Sequence, residues 1–135
     1  MRYMILVKAT EDSEAGVMPE EELFETMANY HEELQKAGVL LDASGLQPSS
    51  KGWRIKCSGG KRTTIDGPFA ETKELVAGYT IIEVKSKEEA MEWARRFPNP
   101  ALKDGEIEVR QMFELEDFGP SEAVDRFREM GIGTK

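Results

Sequence analysis

The chain's 135 residues make room for one compact domain, with 39% hydrophobic residues to build one core. Acidic residues outnumber basic ones 26 to 18, and the resulting charge of −8 speaks against nonspecific binding to nucleic-acid phosphates. One cysteine excludes an internal disulfide and points to a reducing, cytoplasmic setting, while no apolar run approaches the roughly 20 residues of a membrane span.

Residues 3–7 are an apolar run closed by Lys8, too short for a signal sequence, and read as a central strand covered on both faces. Glu11 to Gly16 reads as a polar, flexible link. Pro19 then opens a helix whose first turn, Glu20-Glu21-Glu22, offsets the positive helix end. Leu23, Met27, Tyr30, Leu34 and Ala37 recur at steps of four and three as one core stripe. Gly38 supplies the stop, and Val39-Leu40-Leu41 starts a second strand. Trp53–Cys57 and Lys61–Ile65 flank Ser58-Gly59-Gly60 as a hairpin inserted between two halves of the chain.

Gly78–Lys85 alternates as a strand, and Ser86-Lys87-Glu88-Glu89 is a capping box, with Glu89 reaching back to the helix start. Ala90, Trp93, Ala94 and Phe97 form the second helical stripe, which Pro98 ends. Asp104-Gly105 turns the chain into an alternating strand, Ile107–Phe113. Two strand–helix–strand halves predict an α+β, ferredoxin-like βαββαβ sandwich over residues 1–117: a four-stranded antiparallel sheet with both helices on one face. Residues 118–135 form a helical tail, with Val124, Phe127 and Met130 apolar, able to pack on its own sheet or on a neighbouring subunit. Because Met4 and Leu6 alternate with Tyr3, Ile5 and Val7, the sheet's second face is apolar too. A second copy of the chain is its simplest cover, and a homodimer is expected.

The densest polar signal is Asp66-Gly67-Pro68-Phe69-Ala70-Glu71-Thr72-Lys73-Glu74. Asp-Gly-Pro is turn chemistry, and a helical turn over 70–74 would put Glu71 and Glu74 on one side. With Asp66, these carboxylates and Lys73 would converge at a strand end, where a base with a raised pKa can form or a hard cation can bind through oxygen. A structured loop with solvated charges explains the same residues. Residues 43–65 hold five basic residues (Lys51, Arg54, Lys56, Lys61, Arg62) and no acidic one, so the whole-chain −8 leaves −13 on the remainder. This stretch reads as a solvated hairpin, a site for a small anionic molecule, or a partner surface. His31, the only histidine, lies on the flank of its helix's apolar stripe. Cys57 has no base nearby but His31, no His/Cys spacing matches a zinc site, and no cofactor motif is present.

The stretch DGPFAETKE resembles the DGPF-type branch of the YCII-related proteins, small bacterial domains of largely unknown function. Tyr30, Leu34 to Leu40 and Gly45-Leu46-Gln47-Pro48 look like that family's first half. Gly78-Tyr79, Glu88-Glu89-Ala90, Trp93-Ala94 and Gly105 to Arg110 look like its second, so the resemblance covers roughly residues 2–113. It implies a ferredoxin-like fold in a dimeric α+β barrel. The wider family places a histidine on the first helix, paired with an acidic residue. Measured from Gly38, that histidine falls near Met27, about one turn before His31. Two functions follow. One is a small-molecule or enzyme-like site with His31, Asp66 and Glu71 as acid–base candidates and Arg54, Lys73, Tyr79 and Arg110 as ligand contacts. The other is a non-enzymatic interaction module, since similar domains occur beside alternative sigma factors.

Overall fold

The computed structural model describes every residue except 102 and 135. Four strands form the main sheet: β1 (Arg2–Lys8), β2 (Leu40–Gly45), β5 (Val76–Glu83) and β6 (Ile107–Gln111). Their order is β2-β5-β1-β6 and every neighbouring pair is antiparallel. The remaining strands, β3 (Trp53–Ser58) and β4 (Lys61–Asp66), pair only with each other as the inserted hairpin. Helix α2 (Glu21–Lys36) links β1 to β2, and α3 (Lys87–Arg95) links β5 to β6. This is the ferredoxin-like α+β arrangement that two βαβ halves predict.

Both long helices pack on one side of the sheet. Tyr30 and Leu34 of α2, Ala90 of α3, Tyr3 and Ile5 of β1, and Ile82 of β5 share one core, with Trp93, Phe97 and Val109 at its margin. Ile5, Leu34 and Ile82 are wholly buried, each contributing about 1.5–3 kcal/mol by leaving water. Of the α2 stripe, Tyr30 and Leu34 join this core, Leu23 and Met27 are half-buried, and Ala37, the C-cap, is exposed. Tyr30 spans the gap between the helices: its hydroxyl donates to the Trp93 carbonyl at 2.6 Å, and its ring meets Trp93 and Phe97 edge-on.

Several boundaries differ from expectation for local reasons. The link after β1 is not wholly flexible: Glu11–Glu14 is a helical turn (α1), because Thr10 and Ser13 cap each other across it. Helix α2 starts two residues after Pro19, with Glu20 as N-cap. At α3 the Ser86 hydroxyl caps the Glu89 amide, but the Glu89 carboxylate reaches the Lys85 amide, one residue beyond the usual partner. Strand β6 stops at Gln111, and Arg2 takes over the chain's next polar groups. Its guanidinium donates to the Phe113 carbonyl at 2.8 Å and pairs with Glu114 at 2.9 Å. Beyond lie a 3-10 turn (Leu115–Phe118) and helix α4 (Glu122–Glu129), capped by Ser121.

Met4, Leu6, Tyr79 and Ile81 point to the side opposite the helices, by alternation from Tyr3, Ile5, Thr80 and Ile82. All four are only half-buried. The inserted hairpin is more open still: every residue of β3 and β4 is exposed, including Trp53, Ile55 and Ile65.

Candidate functional site

The loop 66–74 leaves β4 at Asp66, which pairs with Trp53, and returns the chain to β5. Its geometry depends on a close approach. The Gly67 amide donates to the Gly52 carbonyl at 3.0 Å, and a Cβ on Gly67 would lie 1.8 Å from the Ser49 carbonyl oxygen. Two residues on, the Phe69 amide donates to the Ser49 hydroxyl at 3.0 Å. That hydroxyl donates in turn to the Glu14 carboxylate, which also accepts the Ser49 amide at 2.8 Å. Ser49 therefore ties α1, the 3-10 turn Ser49–Lys51 and the loop into one network. Sequence reasoning missed Ser49 and Glu14, which carry no motif and meet only through tertiary contact.

Past Phe69 the expected helical turn over 70–74 is shorter. A 3-10 turn covers Thr72–Glu74, and Glu71 stands outside it with φ 63°. This left-handed conformation is uncommon for a residue with a Cβ and separates Glu71 from Glu74. The Asp66 carboxylate is exposed and makes no hydrogen bond or ion pair among the described residues. The turn is held by backbone groups and Ser49 instead.

Two cavities flank this loop. One, of about 310 Å³, has walls from Leu46, Pro48, Phe69, Leu75 and Val76, with Lys51, Arg54, Gln47 and the Ser49–Glu14 pair as its polar groups. The Arg54 guanidinium lies 3.8 Å from the centre of the Phe69 ring, a cation–π contact that fixes its place. Neither Lys51 nor Arg54 has an ion-pair partner among the described residues, and Glu14 is already bonded to Ser49. The second cavity, of about 650 Å³, lies at the end of β1 and holds Glu71 and Lys73 with Lys8, Glu11, Asp104 and Glu106. Carboxylates predominate there, which disfavours an anion.

The other candidates lie elsewhere. Tyr79 and Arg110 are on the open sheet face, where the Tyr79 hydroxyl donates to Asp42 at 3.1 Å and Arg110 pairs with Glu108 at 3.2 Å. The hydrogen bond to the Asp42 carboxylate pushes the Tyr79 pKa upward, because it favours the protonated phenol. His31 faces the sheet from α2 and lines neither cavity. Its Nδ1 lies 2.7 Å from the Met27 carbonyl, which can only accept, so Nδ1 carries the proton. In the neutral ring Nε2 then accepts from the Thr80 hydroxyl at 2.8 Å. Thr80 is 2% exposed in the middle of β5 and was not distinguishable from its apolar neighbours by pattern. Thr80→Val keeps the shape of that side chain and leaves Nε2 unpartnered. It is expected to lower stability by about 1 kcal/mol, and a double-mutant cycle with His31→Ala should recover most of that as coupling.

Among the described residues no group of three His, Cys, Asp or Glu side chains is placed to hold a metal ion, and no helix is long and apolar enough to cross a membrane. The family model described as the YCII-related domain matches residues 1–116. An uncharacterised protein of Rhizobium meliloti (strain 1021) is 36% identical over 77 residues, which cover 57% of this chain and 62% of that protein. The chain thus spans less than two thirds of that relative. A solved structure with a similar chain path is 5-chloro-2-hydroxyhydroquinone dehydrochlorinase from Burkholderia phenoliruptrix AC1100 in complex with 2,5-dihydroxybenzoquinone. It matches with a TM-score of 0.48 and 13% identity, covering 84% of this chain and 95% of that one.

Proposed function

The chain belongs to the YCII-related family, and from that premise we propose that it is a small-molecule-binding, enzyme-like domain whose ligand lies beside the 66–74 loop. The observation that carries this reading is the 310 Å³ cavity, whose apolar walls meet two cations with no ion-pair partner among the described residues. That combination suits a small anion with an apolar body, such as a carboxylate on a ring or short chain. Arg54 would take the anionic group in a charge-assisted bond, already oriented by Phe69, and Lys51 would add a second positive charge. A cavity of this size is at the low end of small-molecule sites, which bury most of a ligand against apolar walls. Glu71, in the larger cleft across the loop, is the acid–base candidate for a ligand that extends past the loop, with Lys73 beside it as a ligand contact. Asp66 and His31 stand outside both cavities, and any part they take requires a ligand or a partner subunit to reach them.

The domain works as a homodimer in this reading, with the open faces of two sheets covering each other. Met4, Leu6, Tyr79 and Ile81, half-buried on that face, supply the apolar centre of that contact.

Calorimetric titration with a panel of small aromatic and aliphatic carboxylates tests the site. Saturable binding is expected for at least one of them, weakened tenfold or more by Arg54→Ala, which is about 1.4 kcal/mol. Lys36→Ala, at the end of α2 and lining neither cavity, should leave the affinity unchanged. Binding that ignores Arg54→Ala, or no binding across the panel, would remove the assignment and favour an interaction module instead.

A further inference from the structure

Three cations share one face of the inserted hairpin, and that face runs into the smaller cavity. Strand pairing sets Arg54 opposite Ile65, Lys56 opposite Thr63 and Ser58 opposite Lys61, and residues paired in this way point to the same side. Trp53, Ile55, Cys57, Arg62 and Asp66 stand on the other side, where one basic and one acidic residue cancel. The face of Arg54, Lys56 and Lys61 carries no acidic residue at all. Arg54 belongs to the wall of the 310 Å³ cavity, held over the Phe69 ring. Lys56 follows about 7 Å farther along the strand, and the Ser58–Lys61 pair about 14 Å, toward the hairpin tip. Lys51 adds a further cation from the cavity wall.

Such a row repels itself unless something negative answers it. Lys56 and Lys61 are diagonal neighbours across the two strands, within reach of each other. No ion pair among the described residues relieves Lys51, Arg54, Lys56 or Lys61, although the chain holds 26 acidic residues. Glu14, the carboxylate in the cavity wall, is already bonded to Ser49. The same hairpin shows a mixed, neutral arrangement on its other face, so the sorting of its cations follows the cavity.

We infer that the ligand of this site is a short apolar group carried on phosphates in series, an organic diphosphate being the simplest form. The inference rests on the small-molecule site proposed above and names the class of its ligand. The apolar walls take the apolar end. Arg54, where the cavity meets the hairpin face, forks onto the inner phosphate. Lys56, next along the face, meets the outer phosphate as a point charge, with the Thr63 hydroxyl beside it, and Lys61 carries the positive field on to the tip. A lone anionic group would be satisfied by Arg54 and Lys51 and would leave Lys56 unanswered. A ligand with anionic groups at opposite ends would press one of them against the apolar walls, where an unpaired charge is costly.

Calorimetric titration with isopentenyl phosphate and isopentenyl diphosphate tests this, because the two differ by one phosphate on the same apolar body. The diphosphate is expected to bind at least tenfold tighter. Lys56→Ala should remove most of that difference and leave the monophosphate affinity within twofold of the wild type. Arg62→Ala, on the opposite face of the hairpin, should change neither. Both residues are exposed on the hairpin, so neither substitution disturbs the core. Equal affinities for the two compounds in the wild type overturn the inference. So do equal losses from Lys56→Ala and Arg62→Ala, which would show only the general field of a basic hairpin. Inorganic diphosphate binding as tightly as the isopentenyl compound also overturns it, since an adventitious ion only would then explain the row. Binding of the carboxylate panel without either isopentenyl compound overturns the phosphate class and leaves the cavity standing as a site. No binding of carboxylates or phosphates overturns both.

Discussion

Gly67→Ala is expected to destabilise the protein by about 3 kcal/mol, the upper part of the range for forcing an extra carbon into a packed site. The added Cβ would stand 1.8 Å from the Ser49 carbonyl oxygen and 2.7 Å from its carbon. Both are backbone atoms of a turn that also bonds Gly67 through Gly52, so no side chain can rotate away. Either the loop or the Ser49–Lys51 turn must move, and each carries one wall of the 310 Å³ cavity. Thermal unfolding should show a midpoint lower by about 10 °C for a domain of this length. Gly52→Ala is the control. Its Cβ would meet the same Ser49 oxygen at 3.7 Å, an ordinary contact, and the midpoint should barely change. Equal losses from both substitutions would show that close approach is not why glycine stands at position 67. The same Gly67 variant should also lose ligand affinity, because Phe69, which orients Arg54, follows two residues later.

The second large effect is a loss of stability at alkaline pH that Tyr30 controls. Burial pushes the Tyr30 phenol up to about 12 from an ordinary 10.0, with Arg96 opposing and Glu33 adding to the shift. A folded-state pKa above the unfolded one means that the folded chain holds a proton the unfolded chain releases. The contribution is therefore complete below pH 10 and lost as pH rises from about 10 to about 12. Two pKa units correspond to about 2–3 kcal/mol over that window. Tyr30→Phe removes the ionisable group together with the 2.6 Å bond to the Trp93 carbonyl. The variant should be about 1 kcal/mol weaker near neutrality and more stable than the wild type near pH 12. Denaturant titrations of both proteins across pH 8 to about 12 would show the curves cross. Parallel curves would mean that the phenol reaches water without unfolding. The same substitution probes His31, whose ring packs edge-on against Tyr30 at 5.5 Å.

The sheet, its two long helices and the hairpin were legible because each follows a local rule. The apolar run of residues 3–7 and the alternation of 78–85 reported strands, steps of three and four reported α2, and Ser86 with Glu89 reported the start of α3. The site was legible only as a region. DGPFAETKE drew attention to a loop that two cavities flank, but charge density in a sequence does not say which side chains share a cavity. Glu71 and Lys73 do share one, Arg54 belongs to another, Tyr79 and Arg110 lie on the open face, and His31 points into the sheet. The left-handed backbone of Glu71, which parts it from Glu74, is a property of the loop's closure against Ser49 and Gly52 rather than of residues 70–74 alone.

By itself the amino-acid sequence determined the fold class, the family resemblance and the charge contrast between a basic hairpin and an acidic remainder, because periodicity and composition are one-dimensional quantities. Tertiary structure alone decided that Ser49 binds Glu14 and the loop, that Thr80 meets His31, and that Arg54 rests on Phe69 above an apolar cavity. These pairs stand 35, 49 and 15 residues apart in the chain. They become neighbours only after the sheet has paired, and no local pattern encodes a contact that chain folding must first bring within a few ångströms.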